Sequence, residues 1–389
     1  MNPTPCRLVC QPADVVRGHR LTYTLQIAGR HYQVYFECPR IALYGGVEVS
    51  LCMAALPAMR YGLELHLDVP VSAELLANQQ ALMQIFCDWF PQYQLPKIHA
   101  LQTPEAVLEP VRRVAAFFTG GVDSFYTFLK HREEITDLIY VHGYDVSLDD
   151  LKKRQDISAM GAALEQDTGV RFIEIETNAV RLFKDHGKWG LHGHGFGLGT
   201  VVRLLQGYVH KIYIPSSFAE HELMPWGSHP LTDVLFGDRA IEVIHDGCEV
   251  GRPGKIEKIA SEPMALRHLR VCWEKEQGAY NCSRCEKCLR TMTALYGHGV
   301  LAQATTFPDG LSVEGIRKLV LVDKSARTYV RENIAFLQSK NLQQDPVCQA
   351  WVRVIERPAW RSRLTLRYRR LISQCRRQWR KLSAVKPTT

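Results

Sequence analysis

Six consecutive residues, Thr119, Gly120, Gly121, Val122, Asp123 and Ser124, carry the clearest chemistry in the chain. The two glycines let backbone N–H groups approach an anion closely. Two hydroxyls and a carboxylate stand beside them. The run 114–118 before them is apolar, β-branched and aromatic, and of strand length. Residues 125–131 after them have the composition of a helix. A strand that hands glycines to a helix N-terminus is a phosphate site, because the helix dipole favours negative charge there. The loop has no Lys of the Walker type and no third glycine of the dinucleotide type.

A second constellation is Cys272, Cys282, Cys285 and Cys288, spaced C-x9-C-x2-C-x2-C. Two overlapping C-x2-C steps bend the chain so that three thiolates face one point, and Cys272 supplies the fourth. Tetrahedral Zn²⁺ fits this set. Three cysteines at this spacing can also hold an iron–sulfur cluster. A zinc with four thiolates has no open position, so its role would be structural. The other eight cysteines are scattered singly and read as small buried hydrophobes. None stands apart as a nucleophile.

Histidines are frequent in the middle of the chain: His186, His192, His194, His221 and His229. His192 and His194 lie among Gly193, Gly195 and Gly197 and can line a pocket at a helix N-terminus. They lack the His-x3-His spacing of a helical zinc site. Lys188, Arg252, Lys255 and Lys258 are the candidate cations for phosphate charge.

The elements that must position these residues follow from periodicity. Apolar β runs at 114–118, 138–142, 171–176, 211–215 and 240–245 are separated by segments long enough for crossover helices. That alternation predicts an α/β fold with a doubly wound parallel sheet over 106–300. In such a sheet, ligands sit beyond the carboxyl ends of the strands. The loops at 119–124, 142–145, 177–178, 216–229 and 245–249 are therefore the expected sites of function. Residues 1–105 alternate at 21–27 and 32–37 and read as helical at 50–59 and 72–89. They form an α+β module without evident chemistry, suited to covering the site, to a homodimer interface or to a partner. Residues 301–389 read as helical.

The 389 residues can hold two to three domains. The net charge of +8 is local in origin. Residues 351–389 hold twelve Lys/Arg and one acid, for +11, so the first 350 residues carry 8 − 11 = −3. This is a near-neutral body with a basic tail, unlike a wholly basic nucleic-acid binder. The tail, with Leu364, Tyr368, Leu371 and Cys375 on one helical face, suits an anionic membrane surface, nucleic acid or a partner protein. No apolar run of transmembrane length occurs, and no signal peptide is evident. A cytoplasmic location is expected.

The string Thr119-Gly120-Gly121-Val122-Asp123-Ser124 resembles the Ser-Gly-Gly-x-Asp-Ser loop of the PP-loop (N-type) ATP pyrophosphatases, with Thr119 in place of the first Ser. The string 281–290, with its C-x2-C-x2-C, is similar to that of 7-cyano-7-deazaguanine synthases, members of that superfamily with a structural zinc. The entry at 194–197 and the stretch 254–259 also follow that family's order. The resemblance spans roughly 112–295, and the loop 225–230 departs from it. It implies binding of ATP and Mg²⁺ and adenylation of a carboxylate, followed by nitrogen attack. Thr119, Gly120, Gly121, Val122, Asp123 and Ser124 would bind the phosphates, with Asp123, Ser124 and Lys255 catalytic. His142 and Asp145, at the end of the second β run, would border the adenosine. A tRNA- or nucleotide-modifying sulfur transferase of the same superfamily, and a non-catalytic nucleotide-binding module, are the alternatives.

Overall fold

Leu21, Tyr23, Leu25 and Ile27 are buried, and every second residue between them faces outward, the pattern of a strand with one face on a core. Val114–Phe117 and Asp137–His142 are buried at every position, as expected of strands covered on both faces. The computed structural model of the chain describes residues 7–103, 112–272, 280–321 and 324–358, with Trp360, Leu364 and Ile372 as single positions. The expected basic tail otherwise lies outside the described residues, as does the boundary expected near 105. The chain groups into two compact units, residues 1–251 and 252–389.

In the first unit the strands are β1 (Arg7–Cys10), β2 (Arg17–Gly18), β3 (Arg20–Ile27), β4 (Arg30–Glu37), β5 (Leu43–Tyr44), β6 (Glu64–Ser72) and β7 (Ile98–Thr103), then β8 (Val114–Phe117), β9 (Asp137–His142), β10 (Arg171–Thr177), β11 (Lys211–Pro215) and β12 (Glu242–Asp246). The helices are α1 (Val47–Tyr61), α2 (Ala73–Trp89), α3 (Val122–Lys130), α4 (Leu151–Thr168), α5 (Val180–His186), α6 (His194–Leu204) and α7 (Pro230–Asp233).

A seven-stranded sheet runs in the order β12-β11-β8-β9-β10-β4-β3. Its first five strands are mutually parallel, and helices flank it. The chain moves outward from β8 through β9 to β10, then returns to the other side of β8 for β11 and β12. The reversal falls between β8 and β11, which places the crevice of a reversing parallel sheet at the end of β8.

The expected N-terminal module contributes to this same sheet. The hairpin β3/β4 continues it, with β4 antiparallel to β10 through Glu176↔Glu37 and Thr177↔Phe36. The rest of residues 7–103 forms a small parallel sheet β1-β6-β7 and the helices α1 and α2. Helix α1 is buried along nearly its whole length and packs on α6. These residues therefore share the first unit with the five parallel strands rather than standing apart from them.

The second unit contains α8 (Arg252–Ala260), α9 (Pro263–His268), α10 (Glu286–Gly297), α11 (Val313–Arg317), α12 (Lys324–Ser339) and α13 (Pro346–Ile355). Its core is apolar, built on Leu289, Ile316, Val330, Leu337 and Trp351. The Trp351 indole N–H is satisfied by the Thr293 hydroxyl at 2.8 Å. The cysteine constellation belongs to this unit, although the sequence groups it with the parallel strands.

Candidate functional site

The glycine loop joins β8 to α3. Gly120 sits at φ +73°, which only glycine adopts without strain, and Gly121 is the extended N-cap residue of α3. Helix α3 starts at Val122, ahead of the expected 125, so Asp123 lies in its first turn. Val122 and Ser124 are buried, and Thr119 and Asp123 are half-buried. The Ser124 hydroxyl donates to the Gly121 carbonyl at 3.1 Å and accepts from the Thr119 N–H at 3.3 Å. It thus holds the two ends of the loop together at the mouth of the helix.

His142 closes β9, the neighbour of β8, and is buried. Its Nε2 meets Glu174 Oε2 at 2.7 Å, and its Nδ1 has no partner among the described residues. Burial alone would raise the Glu174 carboxyl; the hydrogen bonds from His142 and Ser158 outweigh it and hold the group below the usual range. The pair borders a cavity of about 480 Å³, into which Arg154, Glu37 and Glu176 also project. Gly143 follows at φ +99°, so close to β10 that a Cβ there would stand 1.9 Å from the Thr177 carbonyl oxygen. Asp145, next in the turn, is exposed.

Beyond the ends of β11 and β12 lies a polar cluster that the sequence did not reveal. Asp246, the last residue of β12, is nearly buried and accepts from Thr127 Oγ1 at 2.7 Å, Lys130 Nζ at 2.8 Å and His131 Nε2 at 2.9 Å. All three donors come from α3 or its cap. Burial pushes the Asp246 carboxyl up, but these donors overcome it and keep it below the usual carboxylate range. Glu249 extends the cluster to Tyr126 at 2.7 Å and Lys130 at 2.6 Å. The helix opened by the glycine loop is therefore tied along one side to the segment after β12.

His245 of β12 and Asp233 of α7 form a second buried pair, with His245 Nδ1 to Asp233 Oδ2 at 2.8 Å. Ser228 Oγ also donates to Asp233, at 2.6 Å. The His245 ring hydrogen-bonds the thiol of Cys248, which in turn donates to Ser216 Oγ at 3.2 Å. Burial lowers His245, yet the bonds to Asp233 and Cys248 prevail and raise it to about 9.

His192 and His194 do not form a ligand set. His192 is a core residue: its ring packs edge-on against Phe86, Phe90 and Tyr93, and its Nδ1 accepts from the Lys188 N–H at 3.0 Å. Among the described residues, neither His192 nor His194 belongs to a group of potential metal ligands.

In the second unit, Lys255 lies buried on α8. The four cysteine sulfurs lie within 4.8 Å of one another. Cys272 to Cys285 and Cys282 to Cys288 are each 3.9 Å apart. Sulfurs bound at ~2.3 Å to one tetrahedral ion stand about 3.8 Å apart, so the set matches a metal such as zinc. Two backbone N–H groups support it: that of Cys285 points at Cys282 Sγ (3.2 Å) and that of Cys288 at Cys285 Sγ (3.4 Å). Without a cation the crowded thiols resist ionisation, and the bond to Cys272 above all pushes Cys285 up to about 12. The wholly buried Asn281 joins the two halves of the site. Its Oδ1 accepts from the Val271 and Cys272 N–H groups at 2.9 and 3.2 Å, and its Nδ2 donates to the Leu269 carbonyl at 2.8 Å.

Set against family profiles, curated proteins and solved structures, the chain matches none of them.

Proposed function

We propose that the first unit binds ATP with Mg²⁺ and catalyses adenylation of a small-molecule carboxylate, which a nitrogen nucleophile then displaces from AMP. The observation that carries this reading is the position of the glycine loop. It follows β8, where the strand order reverses, and it opens a helix whose first N–H groups have no intrahelical acceptor. An anion beyond β8 would meet those N–H groups and the positive end of the α3 dipole. The motif Thr119–Ser124, similar to the PP-loop, selects pyrophosphate among anions.

In this reading the carboxylate oxygen attacks the α-phosphorus and pyrophosphate leaves. Its charge is stabilised by the loop N–H groups and the Thr119 hydroxyl. Asp123, in the first turn, holds Mg²⁺ or a water on it. Ser124 keeps the loop closed. The half-open turn 142–145 borders the nucleoside, with Asp145 facing solvent where a ribose hydroxyl can reach it. The four-cysteine site stabilises the second unit and takes no part in the chemistry.

The test is pyrophosphate release from ATP and Mg²⁺ in the presence of a panel of carboxylates, deazapurine carboxylates included. Carboxylate-dependent release supports adenylation. ATP binding without release under any carboxylate points to a nucleotide-binding module instead.

A further inference from the structure

Strand β6 opens with Glu64-Leu65-His66-Leu67, in which the two leucines are buried and Glu64 and His66 are half-buried. Alternation sets positions 64 and 66 side by side on the face opposite the leucines. Strand β7 runs parallel to β6 in the register His66↔His99, so two imidazoles stand abreast across the small sheet. Their rings stack with centroids 4.3 Å apart and planes 11° from parallel. His99 Nε2 meets Glu64 Oε2 at 3.0 Å, and His66 Nε2 lies 3.7 Å from the same oxygen. One donor atom from each of the three residues lies within 4.8 Å of the other two.

We propose that Glu64, His66 and His99 bind one divalent transition ion of the zinc type. Nitrogen and oxygen donors at about 2.1 Å from one ion stand ~3.4 Å apart in a tetrahedral shell and ~3.0 Å apart when adjacent in an octahedral one. The two distances to Glu64, 3.0 and 3.7 Å, lie close to those values, so an ion between them asks little movement of the carboxylate against either ring. Two imidazoles with one carboxylate suit Zn²⁺, Co²⁺, Ni²⁺ or Cu²⁺, whereas Mg²⁺ and Ca²⁺ take oxygen donors. The ion takes the place of the proton between His99 and Glu64, and the imidazole then carries its proton on Nδ1. Three protein donors leave a coordination position for water or for a donor from a ligand.

The sheet keeps Glu64 available for this role. Arg7 of β1 is in register with Glu64, but its guanidinium has Asp68 as a counter-charge at 3.7 Å. Two donors belong to β6 and one to β7, so the ion ties the two strands together across their outer face. The site lies in the first unit, whereas the four cysteines lie in the second. It uses none of the groups assigned to ATP and stands whether or not adenylation does. With His99 exposed and one protein donor fewer, it releases its ion more readily than four thiolates do.

The experiment uses the full chain, dialysed against a weak chelator that leaves the cysteine-held ion in place. Co²⁺ is the probe, followed by calorimetry and visible absorption. One Co²⁺ per chain is expected, with the weak d–d bands of nitrogen and oxygen ligation and no thiolate-to-metal charge transfer. His66→Gln and His99→Gln, each shown to be folded by its melting curve, should weaken binding at least about tenfold, since even residues behind a metal ligand cost that much. Co²⁺ should raise the melting temperature of the wild type and leave that of His99→Gln unchanged, because an ion that binds only the folded chain stabilises it. Excess Mg²⁺ should not displace the Co²⁺. Unchanged affinity in folded His99→Gln would overturn the proposal. So would displacement by Mg²⁺, which would mean that carboxylates alone hold the ion. Binding that shows only thiolate charge transfer would assign the Co²⁺ to the cysteines and overturn it equally.

Discussion

The Thr127 hydroxyl donates to the Asp246 carboxylate at 2.7 Å, across a buried gap between α3 and the end of β12. Lys130 and His131 reach the same carboxylate. The helix that begins at the glycine loop is thus fixed to the far side of the reversal in strand order. Asp246→Asn keeps the shape but removes the charge that the three donors share. It should cost on the order of 1–3 kcal/mol of stability, because an amide in place of the buried carboxylate leaves donors from Thr127 and His131 short of an acceptor, while Lys130 keeps Glu249. Urea unfolding measures this; a loss within 0.5 kcal/mol or so of zero would show that the contact is incidental.

Asp123→Ala should abolish carboxylate-dependent pyrophosphate release while leaving the melting temperature near that of the wild type. The residue is half-buried in the first turn of α3, where a carboxylate can serve both the helix N-terminus and a metal ion. Wild-type release from a folded Asp123→Ala protein would take the loop out of the chemistry.

The purified chain should contain about one zinc, held by Cys272, Cys282, Cys285 and Cys288. Cys285→Ser should lower both the metal content and the melting temperature, since metal binding and folding are coupled in such sites. Asn281→Ala should weaken zinc retention against a chelator with all four sulfurs intact, because it frees the segment bearing Cys272. Iron with acid-labile sulfide in place of zinc would identify a cluster.

Stability should fall as pH rises from about 6.5 to about 9. His245 takes up a proton more tightly in the folded chain than in the unfolded one, where its value is near 6.5. Its contribution is complete below 6.5 and disappears as pH climbs through the folded value. A raised histidine of this kind contributes on the order of 2–3 kcal/mol. Chemical denaturation of wild type and His245→Gln across that window gives the answer. The variant should show a flatter alkaline limb.

Gly143→Ala should destabilise the first unit by about 3 kcal/mol or more. A Cβ there overlaps the Thr177 carbonyl oxygen, and φ is +99°. The loss should also disturb the turn that presents Asp145, so any ATP affinity should fall along with the melting temperature.

Several features were readable because a local pattern decided them. The strand Lys211–Pro215 lies where its apolar run lies, and Arg171–Thr177 differs from expectation by one residue. Strand β12 begins two residues late, because Asp238 and Ile241 bridge to each other and use up the first residues of the apolar run. The alternation in β3 announced an amphipathic strand but not which sheet it joins; that choice rests on the pairing of Glu37 with Glu176, far apart in sequence. The glycine loop and the cysteine spacing were legible as motifs. The pair of His245 and Asp233 was not, because the two are twelve residues apart and match no spacing rule. Only the return of α7 against β12 brings them together. His192 shows the opposite case: a chemically suggestive residue that the fold uses as packing among three aromatic rings.

The antiparallel hairpin at the sheet's edge sets the order of assembly. Residues 20–37 are made first, but the strand they pair with, β10, is reached only after a further 176 − 37 = 139 residues. The hairpin can pair with β10 only once the parallel strands exist to receive it. Such long-range pairing slows folding, since a large loop must close before any contact rewards it. It also leaves β10 as an open edge in any chain that starts after residue 103, and an open edge invites pairing with another chain. The first hundred residues thus close the edge of a sheet whose other strands come from later in the chain.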